Sequence, residues 1–279
     1  MNFYNKKDIQ NIKSYRFDFI EISEEDRVFT ITLNRPKKKN ALHPQMTNEI
    51  AFAMHYAHFN NSIWVVVFKA NGDTFCAGAD LKAMMGDIEP HNSTIPVPEK
   101  EILMGDLFNS INKPTISVVE KNVYAGGFLI LAGCIYVIAD ENLRFSLPEV
   151  KRGLFPMQVM ASLIQVTQPR KVLDWCVRGY SISSMQAKEY GLVTHLSNQD
   201  NIDNELSNLI KEILENSPTA IRLGLEAYSY ITEKSNQHQY LLEMLNKVIK
   251  SNDAKEGINA FKEKRKPNWK GNKFFLNNF

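Results

Sequence analysis

Phe75-Cys76-Ala77-Gly78-Ala79-Asp80-Leu81 comes soon after a run of β-branched and aromatic residues, Ile63 to Lys69 (IWVVVFK), and opens toward a helix. The run reads as a strand. Side chains as small as those of Ala77, Gly78 and Ala79 let a ligand approach the main chain, and N–H groups at a turn or helix start are donors seeking an acceptor. Upstream, Val28 to Leu33 (VFTITL) is another strand, and Pro44 to Phe59 between the two strands reads as a helix with Pro at its start. Downstream the arrangement recurs. Thr115 to Glu120 reads as a strand, Ala125-Gly126-Gly127 as a turn, and Phe128 to Cys134 as a buried helix feeding a strand at Ile135 to Ala139. The N–H of Gly126 is expected to point outward with the positive end of the helix dipole behind it. Taken alone, each small-residue turn is equally a tight connection where a side chain would clash; two of them could converge on one oxygen.

Leu192 to Leu196 is a plausible last strand, after a short helix capped by Ser183 and stopped by Gly191. From Asp203 onward only helices are expected: Asp203 to Glu215, Pro218 to Thr232, Gln237 to Lys250 and Ala254 to Arg265. Alternating strands and helices followed by helices alone imply an α/β core with a helical appendage. The stretch GDIEPHNSTIPVPEK between Lys82 and Pro114 carries three prolines and no clear period, which predicts a loop over a site. The tail ends in FFLNNF, whose apolar residues could pack on a neighbour or stay disordered.

Of the 279 residues, 44% are hydrophobic and 23% charged, an ordinary globular composition. The 33 basic and 31 acidic residues are mixed along the chain, so no broad field draws it to nucleic acid or a membrane surface. Cys76, Cys134 and Cys176 are too scattered for a disulfide framework or a CxxC metal site, and a reducing, cytoplasmic location is expected. The longest apolar run, Phe128 to Ala139, is shorter than the roughly 20 residues a bilayer requires. No GxxxxGK[ST], GxGxxG, HExxH or GxSxG motif is present. His55 and His58 lie three apart on the first helix with no third ligand nearby, and are expected on a solvated face rather than at a metal.

Five motifs follow in order: Asn34-Arg35-Pro36 with Asn40-Ala41-Leu42, Phe75 to Leu81, Ala125-Gly126-Gly127, Phe145-Ser146-Leu147-Pro148-Glu149 with Gly153 and Pro156, and Ala260-Phe261-Lys262-Glu263-Lys264-Arg265 with Trp269. On these the chain resembles the crotonase (enoyl-CoA hydratase/isomerase) family over nearly its whole length. The resemblance implies an α/β spiral of β-β-α units: an N-terminal extension at 1–14, a core at 15–202, and a helical region at 203–279 that builds homotrimers, often paired into hexamers. It further implies an oxyanion hole from the amides of Ala77 and Gly126 around a thioester carbonyl, with Glu149 as acid/base. Ala79, Asp80 and Leu81 are expected along the CoA, and Phe261 and Lys264 are expected to help bind it from the same or a neighbouring subunit. Acyl-CoA is then the substrate, and no cofactor or metal is implied. Without that context Glu149 is equally a solvated loop residue or a partner of Lys151 or Arg152.

Two departures from the family pattern bear on the reaction. Typical hydratases carry a second glutamate where this chain has Leu129, and the glycine-rich stretch after Pro156 is Met157-Gln158-Val159-Met160. An aliphatic group cannot orient water, whereas one carboxylate suffices to move a double bond from the 3,4 to the 2,3 position. Three readings follow: a hydratase-type enzyme, a single-glutamate enoyl-CoA isomerase with a carrier-protein thioester dehydratase as its cousin, and an inactive acyl-CoA-binding member.

Overall fold

The structure, a computed structural model, describes residues 3–232 and 237–268. Trp269 and the FFLNNF tail lie outside the described residues. Near the N-terminus, helix α1 (Lys6–Gln10) precedes two strands, β1 (Ile20–Glu25) and β2 (Val28–Leu33), and helix α2 (Pro44–Phe59). Residues 3–14 lie against α2. Ile9 and Ile12 are buried in the main core, and the Tyr4 hydroxyl donates to the Asn48 carbonyl at 2.8 Å. Tyr4 packs over the His55 ring, and His55 and His58 are both buried, which corrects the solvated-face expectation. Their rings pack on Phe59 at 5.1 and 4.7 Å, and burial pushes the His58 imidazole down to about 4.

Strand β3 (Val65–Ala70) follows, then the short helices α3 (Leu81–Met84) and α4 (Met104–Leu107), and strand β4 (Thr115–Val119). The proline-rich stretch is not detached from the body: the Thr94 amide donates to the Arg16 carbonyl at 3.0 Å and the Asn92 amide to Asp18 at 2.9 Å. Beneath it, the buried carboxylate of Glu49 accepts the amides of Asp18, Phe19 and Ile20 at 2.8, 2.8 and 3.2 Å, which fixes the start of β1. The Lys113 ammonium donates to the carbonyls of Ala57, Asn60 and Ile63, closing the C-terminal end of α2.

Then come strand β5 (Val123–Tyr124), helix α5 (Phe128–Gly133), strands β6 (Tyr136–Asp140) and β7 (Arg144–Ser146), and helices α6 (Met157–Val166) and α7 (Pro169–Arg178). Strand β8 (Ser181–Ser183), helix α8 (Ser184–Glu189) and strand β9 (His195–Ser197) complete the core. Helices α9 (Ile202–Leu214), α10 (Pro218–Thr232), α11 (Gln237–Ile249) and α12 (Asn252–Lys262) form the C-terminal region.

The main sheet runs β1-β2-β3-β4-β6-β9, antiparallel only at the β1–β2 hairpin and parallel elsewhere, and β5-β7-β8 form a second, small sheet. The buried run of β4 (TISVV) and its neighbour β3 fits a parallel sheet covered on both faces. One core lies between this sheet and α2, α5 and α6; a second, built on Val65, Val67, Ile116 and Ile138, is closed by α9. The last strand begins at His195 rather than Leu192, because Leu192 and Val193 are drawn into the α8 C-terminus by bonds to the Ala187 carbonyl. The Ser183 cap is a full capping box with Gln186.

Candidate active site

The FCAGADL turn and the turn at residues 125–127 meet at the rim of one cleft of about 830 Å³. Gly78 has φ +91, and a methyl group there would lie 2.5 Å from the Ala125 Cβ and 2.9 Å from the Gly126 nitrogen. Only glycine permits this approach. Residues 125–127 form a 3₁₀ turn that leads straight into α5, with Ala125 at φ 50. The amides at its start have no helical acceptor.

The Ala77 amide does not serve the cleft. It donates to the Lys39 carbonyl at 2.9 Å, so the expected pairing of Ala77 with Gly126 is corrected by the backbone geometry. The left-handed pair Lys39 and Asn40 turns that carbonyl inward. Two residues on, Ala79 forms an isolated bridge with Leu42 in which the flanking groups bond: Leu42 donates to the Gly78 carbonyl and Asp80 to the Leu42 carbonyl. The Ala79 amide is left on the opposite side, with no acceptor among the described residues. A methyl group on Gly126 would lie 3.2 Å from that nitrogen. Ala79 and Gly126 therefore present undonated amides side by side in this cleft.

Glu149 opens a 3₁₀ turn (Glu149–Arg152) after β7 and lines the same cleft. Its Oε2 is buried without a hydrogen-bond partner. Burial pushes the carboxyl up to about 7, against the pull of its own amide and the charge of Arg152. The other lining acids are committed. Asp80 caps α3 through Lys82 and Ala83 and pairs with Arg35 at 2.8 Å; burial alone would raise it, but the Arg35 bond leaves it below the ordinary carboxylate value. Glu89 pairs with Arg35 at 2.5 Å, and Asp87 stands 4.0 Å from Lys82. Leu129 contributes an apolar wall where a second carboxyl was in question.

Phe261, from α12 of the same chain, lines the cleft; Lys264, exposed beyond the end of that helix, does not. Ala79, Asp80 and Leu81 all line it. Sequence reading missed Lys38, Lys39 and Lys82, a set of cations in the cleft lining, and Arg152, beside Glu149. Lys38 and Lys39 escaped notice because they sit in a charged run, Arg35 to Lys39, that looks like solvated surface.

The sequence profile of the enoyl-CoA hydratase/isomerase family matches residues 23–272. The chain belongs to this family. Among its relatives, mevalonyl-coenzyme A hydratase sidH of Aspergillus fumigatus is 29% identical over 251 residues, covering 88% of this chain and 92% of that one. Enoyl-CoA hydratase EchA19 of Mycobacterium tuberculosis is 31% identical over 246 residues, covering 86% and 91%. The crystal structure of carnitinyl-CoA hydratase from Mycobacterium avium superposes with a TM-score of 0.80 at 26% identity, covering 91% of this chain and 99% of that one. The fold is the crotonase fold, α/β with a helical C-terminal region, and the family acts on acyl-CoA thioesters.

Proposed function

We propose that this member of the enoyl-CoA hydratase/isomerase family moves a proton at the carbon beside an acyl-CoA thioester, through an enolate whose oxygen accepts the amides of Ala79 and Gly126. Glu149 carries the proton. One observation supports this above the rest: two undonated amides and a buried carboxyl with one unpartnered oxygen line a single cleft. Preorganised donors aimed at a developing oxyanion lower the barrier by several kcal/mol, because no solvent must reorganise. A carboxyl poised near 7 can both accept and return a proton at neutral pH, which speaks against an inactive binding protein.

With Leu129 in the wall and the other lining acids paired to cations, Glu149 acts alone, and a one-carboxyl double-bond shift is the reaction best matched to the site. Hydration is the second reading, favoured by the names of the relatives. Lys38, Lys39 and Lys82 supply charge for the CoA phosphates, and Lys264, outside this cleft, is left to serve a neighbouring subunit's site. Helix α10 exposes Leu223, Tyr228, Tyr230 and Ile231, an apolar face suited to the trimer that the sequence resemblance implies. No helix among the described residues is long and apolar enough to cross a membrane.

The experiment is spectroscopic. Crotonyl-CoA losing its conjugated absorbance indicates hydration, and a 3-enoyl-CoA gaining conjugation indicates the double-bond shift. Neither change, with CoA bound, would leave the inactive reading standing.

A further inference from the structure

Arg152 sits three residues after Glu149 and lines the same cleft. Its guanidinium carbon lies 4.3 Å from the centre of the Phe261 ring, which holds the planar group by cation–π contact. The side chain is half-buried, yet among the described residues it donates no hydrogen bond and no carboxylate comes within ion-pair distance. Glu149 reaches it only through space. A guanidinium withdrawn from water without a counter-ion is costly, and its fork of N–H donors matches a carboxylate in bidentate fashion. Arg35, Arg178 and Arg265, by contrast, each pair with a carboxylate.

The surroundings narrow the anion. Leu154, Phe155 and Met157, which follow Arg152 in the chain, line the cleft with apolar side chains, as does Leu129. The cations suited to CoA phosphates belong to other segments, at Lys38, Lys39 and Lys82. Glu149 must stand beside the thioester to exchange its proton, and the pantetheine arm separates that point from the phosphates. An anion next to Arg152 therefore belongs to the acyl group. We infer that Arg152 is a specificity-determining residue that receives a carboxylate at the far end of the acyl chain, making the preferred substrates monothioesters of dicarboxylic acids. This rests on the acyl-CoA reading of the cleft.

The test uses saturated thioesters, so that it depends on no assumption about hydration or isomerisation. Calorimetric Kd values are measured for glutaryl-CoA against valeryl-CoA, for adipyl-CoA against hexanoyl-CoA, and for free CoA. The wild-type chain should bind at least one carboxylate-bearing ester about tenfold or more tightly than its partner of equal length, the worth of one charge-assisted bidentate pair. Arg152→Gln should abolish that preference and leave free CoA binding intact. Equal affinities within both pairs for wild type would overturn the inference without recourse to any variant. So would a loss in Arg152→Gln shared by free CoA, which assigns the guanidinium to a phosphate, or one shared equally by both acyl classes, which assigns it to positioning Glu149. Failure of every thioester and of CoA to bind wild type would remove the acyl-CoA reading itself.

Discussion

The backbone nitrogen of Ala79 lies 3.2 Å from the point where a Cβ on Gly126 would stand. A side chain at position 126 would crowd that amide, so glycine keeps the space between the two donors open. Gly126→Pro removes one donor, and residue 126 sits early in a 3₁₀ turn where its N–H has no structural acceptor. Turnover should fall on the order of 100-fold or more, with KM far less affected. Steady-state kinetics on a folded variant, verified by circular dichroism, checks this; wild-type turnover would remove Gly126 from the oxyanion site.

Glu149 makes the activity and the stability of the protein depend on pH in opposite senses. Its carboxyl is raised from its ordinary value to about 7 by burial, so the base form predominates only above that pH. For a reaction begun by proton abstraction, kcat/KM should rise with pH and level off above about 7. The folded state binds the proton more tightly than the unfolded chain, so this group's stabilisation is present in full below the unfolded value and lost as pH rises through 7. Glu149→Gln should therefore abolish turnover while raising the melting temperature relative to wild type at pH 8, with the gain shrinking toward pH 4. An unchanged difference across that range would show that Glu149 is not held in its protonated form.

Leu129 offers the converse experiment. Its side chain is buried in the cleft wall, so Leu129→Glu places a second carboxyl in the cleft that Glu149 lines. Two carboxyls can hold and activate a water, a contribution of roughly 10²–10⁴ in general acid–base catalysis. Crotonyl-CoA hydration, followed as loss of conjugated absorbance, should rise at least about tenfold over wild type. A wild-type chain already hydrating crotonyl-CoA rapidly, with Leu129→Glu adding nothing, would move the assignment to the hydratase reading.

Much of this was legible from residue order, and what was not has identifiable causes. Helices Pro44–Phe59 and Pro218–Thr232 begin with proline, whose fixed φ and missing N–H mark a helix start locally, and both lie where that signal puts them. The amide facing the cleft was misjudged by two residues because the choice depends on Lys39, which is distant in sequence and brought in by a left-handed backbone at Lys39 and Asn40. His55 was misplaced because Tyr4 packs over its ring, and an N-terminal segment gives no local sign of where it will dock. The strands of the small sheet, two or three residues each, are too short to carry a period. Glu149 was found through its motif, but its raised acidity and the isolation of Arg152 are properties of packing.

That packing can be tested through the helix that closes over the Glu149 turn. Gly257 of α12 lies so close that a methyl group on it would fall 2.3 Å from the carbonyl carbon and oxygen of Arg152, and one on Gly153, at φ +72, would fall 2.4 Å from the Asp253 carbonyl. Backbone meets backbone here, so no side-chain rotation can relieve the clash. Gly257→Ala should cost about 1–3 kcal/mol, read from chemical denaturation, and should lower turnover because the displaced turn carries Glu149. Gly224→Ala is the matched control: it lies within α10 with nothing inside 4 Å of the added methyl, and should be neutral or stabilising by up to about 1 kcal/mol. Equal effects from the two substitutions would mean that α12 does not hold the turn.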